Sequence, residues 1–215
     1  MSKTVIITIL VISLSSCIKD KPRILIIGDS ISIGYTPFVK ASLANEADVF
    51  HNPGNGQHTG TGMKKIEEWI KDEPWDIIQF NWGLWDLCYR HPDSPIQGNR
   101  DKVNGSLTYT VDEYAANLDT IVTILKTKTK AKLIYVTTTY VPENEAGRFQ
   151  KDVIRYNDAA KNVMKKHHIL VNDIYEQSIP IHQKYGKGTA DVHYSIQGYK
   201  KLSEQITNYL RSEIE

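Results

Sequence analysis

The stretch R-I-L-I-I-G-D-S-I-S-I-G-Y, from Arg23 to Tyr35, decides how the rest of the chain reads. Ile24 to Ile27 is an apolar run with the length and composition of a strand buried on both faces, and Gly28 ends it abruptly. Ser30 then stands at the mouth of a helix. A hydroxyl in that place is either an N-cap, the commoner role for serine, or a nucleophile. The second role needs a base, and D-V-H-Y-S-I-Q-G-Y near the other end of the chain offers His193.

Outward from that stretch, strands and helices alternate. Helices are expected over 32–45, 63–71, 111–127, 149–166 and 195–214, and strands over 48–51, 75–80, 133–137 and 169–172. The pattern describes an open parallel sheet with helices on both faces, and 215 residues fit one such domain. The glycine-rich loop N-P-G-N-G-Q-H-T-G-T-G, 52–62, follows the second strand, and N-W-G-L-W-D follows the third. In such sheets ligands bind beyond the carboxyl ends of the strands, so both segments should face one crevice with Ser30. The polar segment 87–110 has no defensible periodicity; a loop of that length commonly forms the lid or rim of a site. The stretch after Asn172, through Lys187-Gly188 to the D-V-H-Y element, reads as irregular.

With 26 basic and 25 acidic residues, and no Lys/Arg stripe interleaved with aromatics, the chain lacks the electrostatic footprint of a nucleic-acid binder. The four lysines between 126 and 132 read as a solvated helix end. At the N-terminus a short basic start precedes an apolar run, Thr4 to Leu14, of signal-peptide length. Leu14-Ser15-Ser16-Cys17 resembles a bacterial lipobox, which implies lipidation of Cys17, export and a membrane anchor. The expected organisation is a signal peptide over 1–16, a tether over 17–22 and the folded domain over 23–215. Cys88 would then be the only thiol left, read as a small buried hydrophobe, and no internal disulfide could form.

Gly28-Asp29-Ser30-Ile31 after a buried strand, together with Asp191-Val192-His193 and Gly198-Tyr199, resembles the SGNH hydrolases, or GDSL esterases and lipases. The resemblance spans the mature chain in order and spacing. It implies a three-layer α/β/α, flavodoxin-like fold with a five-stranded parallel sheet, and ester hydrolysis without metal or organic cofactor. Ser30 would be the nucleophile, His193 the base and Asp191 the acid that orients it. The implied oxyanion hole comprises the Ser30 N–H, a glycine N–H, for which Gly56 is preferred over Gly54, and an asparagine amide. Two blocks depart from the family pattern. Trp85 stands where that asparagine belongs, which leaves Asn81 or the Trp85 indole as substitutes, and Ala190 stands where the family usually has its aspartate.

Trp82 and Trp85 are candidate substrate contacts, since sugar rings stack on exposed indoles, although tryptophans there can equally be core. His58 is the one further histidine kept as a possible contact. With a lipid anchor these features suggest removal of small acyl groups, acetyl first, from a glycan. The alternatives are a lipase or lysophospholipase acting on longer chains, and a non-catalytic glycan-binding lipoprotein.

Overall fold

The computed structural model describes residues 20–214. The expected signal peptide and Cys17 lie outside them. Seven strands and six helices follow in the order β1 (Arg23–Ile27), α1 (Ser30–Ser42), β2 (Asp48–His51), α2 (Thr59–Ile70), β3 (Ile77–Phe80), β4 (Tyr89–Arg90), β5 (Ser106–Leu107), α3 (Val111–Lys128), β6 (Lys132–Val136), α4 (Gln150–His167), β7 (Leu170–Asn172), α5 (Tyr175–Tyr185) and α6 (Ile196–Ile214). Five of the strands form one sheet in the order β2-β1-β3-β6-β7. Every pairing in it is parallel, with Ile24 opposite Val49 on one side and Ile77 on the other.

Ile24, Ile26 and Ile27 are fully buried, as are Ile78, Phe80, Ile134 and Tyr135 on the neighbouring strands. Continuous apolar strands are what a sheet covered on both faces requires. The cover divides into two sets: α1 and α5 pack on α6, while α2 and α4 pack on α3. This is the three-layer arrangement with a five-stranded parallel sheet that the family resemblance implied. The chain runs from β1 to β2 on one side and then crosses back to β3 on the other, so a crevice opens at the carboxyl ends of β1 and β3.

Local chemistry sets the helix boundaries. At the start of α3 the Thr110 and Glu113 side chains each accept a bond from the other's backbone N–H, a reciprocal capping box. The helix α2 begins at Thr59, four residues before the expected Met63, because the His58 ring accepts from the Thr61 N–H and Asp86 from the Thr59 N–H. The helix α1 begins at Ser30 because Asp29 takes the cap position. Within 87–110 the pair β4 and β5 forms a short antiparallel ladder. Residues 175–185, expected to be irregular, are helical. There Pro180 breaks the pattern, and the buried positions Tyr175, Ser178 and His182 are too polar to show a helical stripe.

The α1–α6 contact brings the two ends of the domain together, and it depends on Gly34. A Cβ at Gly34 would stand 2.3 Å from the Tyr199 ring of α6. On helix propensity alone Gly34→Ala should stabilise by about 1 kcal/mol. The collision reverses that sign, and urea denaturation should find the variant less stable by about 1–3 kcal/mol. A variant as stable as the parent would contradict the packing described.

Candidate active site

Gly28 turns the chain from β1 into α1, and the glycine-rich loop holds that turn from both sides. The Gly28 N–H donates to Asn52 Oδ1 at 3.0 Å, and the Gly28 carbonyl accepts from the Gly56 N–H at 2.8 Å. A side chain at Gly56 would put its Cβ 2.7 Å from the Gly28 carbonyl oxygen, so the approach needs glycine. Asp29, buried, then caps α1 by accepting from the Ile31 N–H at 2.9 Å. Burial raises the affinity of the Asp29 carboxyl for its proton, and the Ile31 N–H and the charges of Arg148 and His193 work against that. Because Asp29 supplies the cap, the hydroxyl of Ser30 is not spent on the helix. It lies 2.9 Å from His193 Nε2.

The other end of the chain reaches this point through a tight turn before α6. His193 Nδ1 is 2.5 Å from Asp191 Oδ1, which also accepts from the His193 backbone N–H at 2.9 Å. The absent family aspartate at Ala190 is therefore met one residue later in the chain, by a carboxylate that grips the histidine through both ring and backbone. Partial burial opposes the charge on Asp191, but these bonds, with the charges of His193 and Arg100, hold it below the ordinary carboxylate range. A carboxylate only accepts, so Nδ1 carries the proton and Nε2 is left to accept from Ser30. The turn is fixed from behind by His182 on α5, which donates from Nε2 to the Asp191 carbonyl at 2.7 Å.

Three expected contributors do not face the cleft as anticipated. The Gly56 N–H is committed to the Gly28 carbonyl, which removes it as an oxyanion donor. The Asn81 carboxamide is nearly buried and donates to the Val136 carbonyl at 2.7 Å, bridging β3 to β6. Trp82 is buried core, with its indole N–H on the Gly56 carbonyl, so it cannot stack on a substrate. His58 likewise serves as a helix cap. Trp85 does line the cleft and is only partly buried. Asn55, the residue between the two glycines considered, lines it as well. Its Oδ1 accepts from the Gln57 N–H, and its amide N–H groups have no partner among the described residues.

The cleft has a volume of about 240 Å³ and is bounded by Ser30, His193, Asn55, Trp85, Arg90 and Arg148, among others. Its rim comes from the long loop at 87–110, as its length suggested. Its arginines were not anticipated. Arg148 Nη1 and Arg100 Nη1 both bond to Glu145 Oε1, at 2.9 and 2.5 Å, and Glu145 is fully buried. These residues sit in loops, where a charged side chain reads as surface, and only the unusual length of the loops pointed to a site. Among the described residues no group of three or more His, Cys, Asp or Glu side chains is gathered to hold a metal ion.

The doubly wound sheet thus places a serine, a histidine and an aspartate in hydrogen-bonding sequence at its switch point. The sequence pattern of the GDSL-like lipase/acylhydrolase family matches residues 24–206, and the chain belongs to that family of ester-bond hydrolases. No curated protein matches the chain significantly by sequence. Among solved structures it is similar to a lipase/acylhydrolase from Enterococcus faecalis, at 21% identity and TM-score 0.70, over 89% of this chain and 96% of that one. It is also similar to a variant of the acetyl xylan esterase Axe2 from Geobacillus stearothermophilus, at 21% identity and TM-score 0.68, over 90% and 94%. A further match is the acetyl xylan esterase AlAXEase, at 14% identity and TM-score 0.69, over 87% and 99%.

Asp86, next to Trp85 in the chain, ties the segment after β3 to the start of α2. Its Oδ1 accepts from both the N–H and the hydroxyl of Thr59, at 2.9 and 2.5 Å, and Thr59 Oγ1 accepts in turn from Asn117 of α3. Burial pushes the carboxyl up to about 7, against the pull of the Thr59 bonds. A carboxyl that holds its proton more tightly folded than unfolded contributes most below its unfolded value of 3.8, and that contribution is lost as pH rises through about 7. Urea denaturation from pH 4 to 8 should show Asp86→Asn gaining on the parent by a few kcal/mol across that window. A difference that stays constant with pH would contradict this.

Proposed function

We propose that the chain is a serine esterase that removes small acyl groups, acetyl first, from a glycan or related ester. The observation that carries this reading is the unbroken bond sequence from Ser30 Oγ through the His193 ring to Asp191, opening on a cleft of only about 240 Å³. Ser30 Oγ attacks the ester carbonyl while His193 Nε2 takes its proton. Asp191 stabilises the imidazolium at Nδ1. His193 then gives the proton to the departing alcohol, leaving an acylated Ser30. Water, deprotonated by the same histidine, releases the acid and restores the hydroxyl.

The oxyanion is met by the Ser30 N–H at the first position of α1, where helix N–H groups lack intrahelical acceptors and the helix dipole favours negative charge. Asn55 and Trp85 supply the neutral side-chain N–H donors in place of Gly56 and Asn81. Small volume disfavours long acyl chains, since pockets for drug-sized ligands run to about 300–1,000 Å³. Two structural relatives are acetyl xylan esterases by name, which agrees with an acetyl group on a sugar. The export and anchoring inferred for Cys17 would place this activity outside the cytoplasm.

On aryl esters kcat/KM should fall from acetyl through butyryl to octanoyl. Ser30→Ala should lower kcat at least about a thousandfold, and Asp191→Asn by about a hundredfold or more. Fastest turnover of the octanoyl ester would favour the lipase reading. Equal rates for the parent and Ser30→Ala on every ester would leave only the binding role. Separately, expression of the full chain in a bacterium should put it in the membrane fraction, and Cys17→Ala should move it to the soluble fraction. An unchanged distribution would refute the anchor.

A further inference from the structure

Resting on that esterase reading, we propose that the cleft selects esters whose alcohol portion carries a carboxylate beside the acylated position, as an acetylated uronic acid does, and that Arg90 is the residue that recognises it.

Three guanidinium groups line the cleft, and their partners differ. Arg100 and Arg148 share the buried carboxylate of Glu145, and Arg148 also donates from Nε to the Leu84 carbonyl. These two are structural: they hold the loop at 138–148 against the segment after β3. Arg90 has no carboxylate partner among the described residues, although it lies on the same cleft and is only partly exposed. Among the described residues its guanidinium makes one hydrogen bond, from Nη1 to the Gly98 carbonyl. The acids at the cleft are otherwise engaged. Asp191 is bonded to His193, Asp29 caps α1, and Glu145 is taken by the other two arginines.

A half-buried guanidinium beside two like charges and without an acid of its own is an unsatisfied cation in a site built to hold a substrate. Burial chiefly, and then the neighbouring positive charges of Arg148 and Arg100, lower its hold on its proton against the opposing pull of Cys88 and Glu145, and an arriving anion would restore it. The guanidinium lies over the Trp85 ring with its central carbon 4.7 Å from the ring centroid, so its plane is supported from one side. With Nη1 held by Gly98, the edge formed by Nε and Nη2 has no hydrogen-bond partner among the described residues. That edge presents two parallel N–H donors, the geometry that matches a planar carboxylate. The stack also changes the part given to Trp85: one face of the indole supports the arginine, so the tryptophan acts on the substrate partly through Arg90. Positive potential around the site extends to His58, whose proton affinity is lowered by burial and then by Arg90 and Lys64.

The test compares singly O-acetylated glucuronic and galacturonic acid methyl glycosides with the same compounds amidated at the carboxyl, and with O-acetylated hexose 6-phosphates. 4-Nitrophenyl acetate serves as a neutral reference. For the parent protein, kcat/KM for the acid should exceed that for the amide at least about tenfold, the worth of one charge-assisted pair. The ratio should shrink as salt is raised to about 0.5 M. In Arg90→Gln the acid-to-amide ratio should fall to about one, and Arg90→Lys should recover part of it. Because each ratio is taken within one variant, general damage cancels, and the parent's own preference and salt dependence stand without any variant. The proposal is overturned by equal turnover of acid and amide, by a preference that survives Arg90→Gln, or by a preference for the phosphate. It is overturned too if aryl acetate is hydrolysed and neither acid is. Failure to hydrolyse even aryl acetate would instead sink the esterase reading on which the proposal rests.

Discussion

Everything chemical in this molecule depends on one contact between residues 163 positions apart: the hydrogen bond from Ser30 to His193. Neither residue could hold it alone. Ser30 is presented because Asp29 takes the helix cap and because Asn52 and Gly56 clamp Gly28 on both sides. His193 is presented because Asp191 fixes its ring and His182 fixes Asp191. The two halves meet because α1 lies on α6, at a crossing close enough that Gly34 has no room for a side chain. The site therefore belongs to the packing of the whole domain.

The fold was legible because its signals are strong and local. Four consecutive buried apolar residues in β1 and their counterparts in β3 and β6 can only be a sheet covered on both faces, and helices at the right spacing supply the cover. The histidine and its aspartate were legible for another reason. They were read through the resemblance of G-D-S-I and D-V-H to the blocks of the SGNH hydrolases, since a histidine at the start of a helix does not by itself point to proton transfer. Where the signal was a hydrophobic stripe diluted by Ser178, His182 and Pro180, the helix α5 escaped notice.

The donors around Ser30 were harder to read, because a hydrogen bond has to be assigned to one partner and sequence does not show competitors. Gly56 is in the right loop, but the Gly28 carbonyl has taken its N–H. Asn81 is at the right strand end, but the Val136 carbonyl lies next to it. Trp82 and Trp85 are three residues apart, and only one reaches the cleft, since Gly83 between them takes a positive φ of 151° and redirects the chain. The rim arginines had no signal beyond residing in long loops. Two of them are ordered by the buried acid Glu145, and the third, Arg90, has no carboxylate partner among the described residues.

The most direct test of the central claim is reaction of the protein with a fluorophosphonate, followed by intact mass and peptide mapping. Attack by an activated serine predicts a single adduct on Ser30, absent in Ser30→Ala and strongly slowed in His193→Ala, where the hydroxyl remains but its base is gone. An unlabelled protein, an adduct on another residue, or labelling as fast in His193→Ala as in the parent would contradict the account.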